Sequence, residues 1–263
     1  MKVEFNLSKS VDENAGRYFD LSKKAKRKLE GAKKALQDSK DKLKALLSQE
    51  DKFWKEYDKK QEKSNRKIEW YEKFHWFFSS QDFLCIGGRD ATSNEIVIKK
   101  HTDPNDLVFH TDMAGSPFFV IKDGQKAGQE TLDETAQAVA CYSKAWKLGH
   151  ATADVFWVKP EQVTKKAQSG ENLGKGSFMA YGKTTYIHPK LEFAIGLVED
   201  QIIGGPVESV KSKTKDFIIV ISGREKKSAT AKRIKSLLKG GDLDDVIKFL
   251  PSGGATLKKI RKR

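Results

Sequence analysis

The sequence predicts an α+β fold. A domain built on a mixed or antiparallel sheet with a packed helix follows an antiparallel coiled-coil hairpin and precedes a small basic α/β extension. Three observations carry this expectation. Residues 10–47 hold an unbroken heptad of apolar and small side chains. From Phe74 the pattern changes to short β-prone runs punctuated by Gly, Asn, Asp and Pro,. Past Gly204-Gly205-Pro206 the chain turns strongly basic. The expected divisions are residues 1–75, 76–200 and 201–263.

Each element follows from its local pattern. Val11, Ala15, Tyr18, Ser22, Ala25, Leu29, Ala32, Leu36, Ser39, Leu43 and Leu46 alternate spacings of four and three, the seam of a coiled coil,. Ser10 and Glu13 have the spacing of a capping box, in which each side chain satisfies an orphan amide of the first turn. A second helix is expected from about Asp51 to Phe74, and the short connection from Ser48 to Asp51 makes the pair antiparallel. Ser22, Ser39, Gln61 and Ser64 weaken the seam.

Strands are expected at Trp76–Phe78, Phe83–Ile86, Glu95–Lys99, Leu107–His110 and Phe118–Ile121. Thr131 and Glu134 have the spacing of a second capping box, for a helix reaching about Leu148. Further strands are expected at Asp154–Val158, Ser177–Tyr181, Thr185–Ile187 and Leu191–Val198, with a polar loop over 159–175. Gly204-Gly205-Pro206 reads as a boundary. Beyond it come a strand at Phe217–Ser222, helices at 228–238 and Leu243–Phe249, and a basic tail from Lys258 expected to be disordered.

The chain has 263 residues, 38% of them apolar and 33% charged, and a net charge of +14. The charge is uneven. Lys+Arg exceed Asp+Glu by 21 to 14 over residues 1–75 and by 16 to 6 over 201–263, whereas 13 face 16 over 76–200. A polyanion would be gripped mainly through the two ends, by phosphate neutralisation and counterion release. Cys85 and Cys141 are unclustered and sit in apolar surroundings, as buried reduced thiols of a cytoplasmic protein do. They offer neither a metal site nor a disulfide framework. No apolar run reaches the roughly 18 residues of a membrane span, and no secretory leader is evident, so no membrane partner is expected.

The most informative stretch is Ile86-Gly87-Gly88-Arg89-Asp90-Ala91 with Asn94-Glu95 after it. Arg89 and Asp90 directly follow a Gly-Gly turn and an apolar run. Either they pair with each other and fix the turn, or Asp90 orients the Arg89 guanidinium toward a backbone phosphate. Gly87-Gly88 lacks the spacing of a dinucleotide or P-loop fingerprint. Lys165-Lys166-Ala167-Gln168-Ser169-Gly170, with Gly174-Lys175-Gly176-Ser177 beyond, combines close backbone approach, charge and a hydroxyl. It is either a phosphate-contacting loop or a plain solvated one. His110 with Asp112 suggests acid–base chemistry, yet no nucleophile elbow, second carboxylate or metal-ligand spacing completes a site. A structural histidine is the plainer reading of His110, and helix-end packing that of His75. The lysines at 23, 24, 26, 28, 33 and 34 with Arg27 ring the first helix, as a solvated face or an RNA brace.

Taken in order, these segments resemble the NFACT family of factors that act on stalled ribosomes. The resemblance runs through Phe74-His75-Trp76-Phe77, Ile86–Ala91, Asn94-Glu95, Lys99-Lys100 and Asp106–His110. It continues in Ala136-Gln137, Tyr142–Trp146, Trp157–Val163 and Gly176–Met179. Asn6-Leu7-Ser8 and Asn14-Ala15 resemble the family's coiled-coil segment, and Ile203–Glu208 its archaeal branch. The resemblance implies a non-catalytic RNA-binding protein without a cofactor. Its implied partners are large-subunit ribosomal RNA and tRNA, and its RNA-binding residues Arg89, Asp90, Lys99, Lys100, His110, Lys165, Lys166, Lys175, Ser177 and Lys183.

Two departures from the family bear on this. Full-length members begin with a large N-terminal domain and a helix-hairpin-helix domain, which this sequence lacks, so activities needing them are not expected of it. The family's usual aromatic in the 170–173 loop is Asn172 here. Two alternatives stay open: a tRNA-binding accessory to a modification enzyme, and a scaffold that docks a separately encoded N-terminal half.

Overall fold

The computed structural model describes residues 4–47, 68–166 and 173–258. It divides into two compact units, residues 1–68 and 69–263. In the first, helix α1 spans Val11–Leu47. The expected box is present: the Ser10 amide donates to Glu13 Oε2 at 2.8 Å, and the Glu13 amide to Ser10 Oγ at 3.2 Å. Asn14 is buried and ties the preceding turn down, accepting from the Asn6 amide at 2.9 Å and donating to the Asn6 carbonyl at 3.1 Å. The seam leucines Leu29, Leu36 and Leu43 are all exposed. Most of the second helix expected at 51–74 lies outside the described residues. Its last turn, Trp70–Lys73, is a 3-10 turn.

The second unit is a pair of antiparallel sheets with helices packed on them. Strands β1 (His75–Phe78), β2 (Leu84–Gly87), β3 (Leu107–Thr111), β4 (Phe119–Ile121), β5 (Val155–Val158) and β8 (Thr185–Ile187) form one sheet in the order β1-β2-β4-β3-β5-β8. Every pairing in it is antiparallel. Strands β6 (Val163–Thr164) and β7 (Met179–Ala180) pair on their own. The second sheet has the order β10-β9-β11-β12, from Glu192–Val198 (β9), Gln201–Gly205 (β10), Phe217–Glu225 (β11) and Ala255–Leu257 (β12).

Both faces of the first sheet are covered, so its central strands read as continuous apolar runs. Alternate residues serve two cores. Cys85, Phe109, Phe119 and Ile121 join the larger core with helix α3 (Gln129–Tyr142), while Ile86, Val108 and Val120 join the smaller one under helix α2 (Ala91–Lys100). The remaining helices are α4 (Lys144–Leu148), α5 (Val207–Lys213), α6 (Lys227–Leu238) and α7 (Leu243–Phe249).

The structure corrects several expectations. Glu95–Lys99 is helix, not strand. Its β-branched run is overridden because Asp90 caps α2, and because Asn94 and Val97, both buried, share one face only at helical spacing,. Thr131 does not cap α3. The helix starts three residues earlier, with Gly128 at its cap, and the Thr131 hydroxyl instead donates to Gln81 Oε1 at 2.8 Å and lies 2.9 Å from Ser79 Oγ. Glu134 accepts from the Ser80 amide at 2.9 Å, so this first turn is bolted to the β1–β2 connection.

The expected single helix to Leu148 breaks at Ser143, whose extended backbone stops α3 and whose hydroxyl accepts from the Ala145 amide at 3.1 Å to start α4. Of Ser177–Tyr181 only Met179–Ala180 is strand. Gly204-Gly205 is no boundary: both glycines belong to β10, where they let Phe249 and Phe77 pack close. The expected division at 200/201 falls on the two-residue turn Glu199-Asp200, both at positive φ, between paired strands β9 and β10,.

Candidate nucleic-acid interface

Several segment ends converge on a cleft of about 250 Å³. They are the start of β1, the β2–α2 turn, the 114–118 loop, the end of α3, the 175–178 loop and Ser252. His75, Arg89, Asp90, His110, Lys175 and Ser177 all line it. Four of its predicted site residues beside His110, from two distant parts of the chain, therefore share one surface.

Backbone packing builds the cleft. Gly88 is buried, and a Cβ there would fall 1.9 Å from Asn94 Oδ1. That oxygen accepts from the Phe118 amide at 3.1 Å and holds the 114–118 wall. Gly176 has a φ of +76°, and a Cβ on it would approach the Ala91 backbone to 2.5 Å. Only glycine lets the 175–178 loop close on the first turn of α2.

Arg89 and Asp90 make no ion pair with each other among the described residues. The Arg89 guanidinium donates from Nη2 to the Phe74 carbonyl at 2.9 Å. The Asp90 carboxylate accepts from the Ser93 amide at 2.8 Å and the Ser93 hydroxyl at 3.0 Å. Hydrogen bonds from the Ser93 backbone and hydroxyl, with a smaller pull from Lys175, lower its pKa. Asp90 therefore neither pairs with Arg89 to fix the turn nor orients its guanidinium: Asp90 caps α2, and a carbonyl positions Arg89.

His110 stacks on Phe118 at 4.0 Å between ring centres, and its Nε2 lies 3.2 Å from the Ser116 carbonyl. Burial pushes its pKa down to about 4, which favours the neutral ring. His75 stacks on Tyr142 at 3.8 Å, and burial, followed by the charges of Arg89 and Lys227, takes it down to about 3.

The other predicted residues lie away from the cleft lining. Lys99 and Lys165 both pair with Glu95, at 2.6 and 3.3 Å, and Lys99 first, then Lys165, bring that carboxyl down to about 2. The Lys165 ammonium also sits 5.1 Å from the Phe178 ring centre. Lys100, Lys166 and Lys183 are exposed. The residues at 167–170 lie outside the described ones. Ser252 also lines the cleft and escaped the sequence reading.

No helix among the described residues is long and apolar enough to cross a membrane, and no group of three or more His, Cys, Asp or Glu there could hold a metal ion.

Residues 73–182 match the family described as the NFACT protein RNA binding domain. The archaeal Rqc2 homolog aRqcH of Methanocaldococcus jannaschii is 38% identical over 205 residues, which are 75% of this chain and 30% of that protein. The ribosome quality control complex subunit NEMF homolog of Drosophila melanogaster is 36% identical over 74% of this chain and 20% of its own length. NEMF of Mus musculus is 37% identical over 67% of this chain and 16% of its own. The chain thus spans less than a third of the length of these relatives. This chain carries an NFACT RNA-binding domain and is a homologue of the NEMF/Rqc2 ribosome quality control proteins.

Proposed function

We propose that this chain binds the large ribosomal subunit, tRNA upon it, or both, in the rescue and quality control of stalled ribosomes. One observation supports this above the rest. Arg89, Lys175 and Ser177 line one cleft, and the one carboxylate lining it among the described residues, Asp90, is already committed to capping α2. The cleft offers cations, a hydroxyl and glycine backbone, the groups that meet phosphate oxygens rather than base edges. Structured RNA is read chiefly by shape and backbone. The basic surplus of residues 1–75 and 201–263 adds sequence-independent attraction,. Relatives named for ribosome quality control and an archaeal homologue fit a protein of archaeal type in that process.

Co-sedimentation of the purified chain with separated large subunits, at two salt concentrations and with free tRNA as competitor, tests the proposal. Salt-sensitive binding that resists tRNA is the expected result. Binding abolished by free tRNA would favour tRNA handling away from the ribosome. Binding to neither would overturn the proposal.

A further inference from the structure

The lining of the cleft is graded. Arg89, Lys175 and Ser177 are exposed, His75, His110, Tyr142 and Phe178 are half-buried, and Phe118 is buried. Two stacked ring pairs from separate elements line it together. His75 lies on Tyr142 at 3.8 Å, from the start of β1 and the end of α3. His110 lies on Phe118 at 4.0 Å, from β3 and the 114–118 loop. Phe178 meets Phe118 edge to face at 5.5 Å. Rings already held by their neighbours need little ordering when a ligand arrives.

The charged and aromatic parts of this lining both lack a partner. Neither Arg89 nor Lys175 makes an ion pair with a described residue. Arg89 gives one N–H to Phe74 and keeps its others for a second acceptor,. His75 Nδ1 is buried without a hydrogen-bond partner among the described residues, and buried polar atoms rarely stay so,. An inorganic anion would leave the rings unused, and an apolar side chain would leave the cations unpaired. A nucleotide answers both, with a charged phosphate at one end and a flat base whose faces stack on rings at the other. The cleft, at about 250 Å³, is near the lower end of small-molecule sites, ~300–1,000 Å³,. It has room for one nucleotide and none for a base-paired helix.

We propose that the cleft holds a single unpaired RNA nucleotide, its base against Phe178 and the ring-lined interior, its phosphate met by Arg89, Lys175 and the Ser177 hydroxyl. The base is held by its faces and not read on its edges, so all four bases fit. The nucleotide is an RNA end or one extruded from a helix. This rests on reading the chain as an RNA binder.

The ring resonances of His75 and His110, followed by NMR in the full chain, give the direct test. AMP, GMP, CMP and UMP should each shift them saturably. Ribose 5-phosphate, which has no base, should bind about ten-fold more weakly, the size of losing one stacked base. Phe178→Leu keeps an apolar side chain but loses the ring face. It should weaken the nucleotides about ten-fold and leave ribose 5-phosphate unchanged. If Phe178→Leu melts early, the comparison of nucleotides with ribose 5-phosphate in the unaltered chain decides alone. Equal affinity for ribose 5-phosphate and the nucleotides would overturn the proposal.

RNA duplexes distinguish the two sources. A one-nucleotide overhang or a single-nucleotide bulge should bind more tightly than a blunt duplex. A gain from the overhang alone assigns an RNA end, and a gain from the bulge an extruded nucleotide. Duplex binding that neither feature tightens, with the histidine rings unmoved by nucleotides, would overturn the nucleotide site and leave RNA binding standing. Nucleotide binding without binding of any RNA would sustain the site and overturn the RNA reading.

Discussion

Asp90 and Lys175 face the same cleft and do different work. Asp90 spends its oxygens on Ser93, so Asp90→Ala should cost about 1 kcal/mol of stability, the usual worth of an N-cap. It should leave RNA affinity no weaker. Lys175→Ala should leave the melting temperature unchanged, weaken RNA binding and reduce the slope of log K against log salt by about one. Paired denaturation and salt-titration measurements check both, and a stability loss in Lys175→Ala would undo the assignment.

The buried histidines make a pH prediction. Burial lowers His75 from 6.5 to about 3 and His110 to about 4. Between those values and 6.5 the unfolded chain binds more protons than the folded one. The stability from keeping these rings neutral is therefore full above 6.5 and lost as pH falls toward the folded values, at up to ~1.4 kcal/mol per pH unit for each ring. His75→Phe keeps an aromatic face for Tyr142 and should flatten the decline in urea-unfolding free energy between pH 6.5 and 4. An unchanged slope would show that His75 is not held neutral.

At the scale of elements, what was legible in the sequence had a local cause. The α1 helix, the Ser10–Glu13 box and the central strands around Val108 and Val120 depend on period and punctuation, and the structure has them. What was missed has a distant cause. Ile96-Val97-Ile98 looks like a strand until Asp90 and Asn94 are seen to be fixed by Ser93 and Phe118. Gly204-Gly205 looks like a linker until Phe249 and Phe77 are seen against it.

The same limit applies to the site. Arg89, Lys175 and Ser177 were legible as cationic and glycine-rich loop residues, whereas their meeting with His75 and Ser252 at one cleft depends on packing that no spacing encodes. Strand β9 gives the sharpest test of the element picture, because it pairs with β10 on one side and β11 on the other. Ending the chain at Asp200 strips both partners from it. The product should lack a cooperative thermal transition, and a melting curve like that of the intact chain would show that residues 201–263 form a separate domain.

At the scale of the molecule, residues 69–263 form one compact unit whose larger core joins Phe109 and Trp146 to Val220, Ile234 and Phe249. The basic C-terminal segment is therefore part of the body that carries the cleft. The central claim is that RNA enters this cleft, and ultraviolet crosslinking of the chain to large subunits, followed by peptide mapping, tests it most directly. The account predicts crosslinked peptides containing His75 or Arg89, the 114–118 loop and the 175–178 loop. Crosslinks confined to α1, with these segments unlabelled, would contradict it.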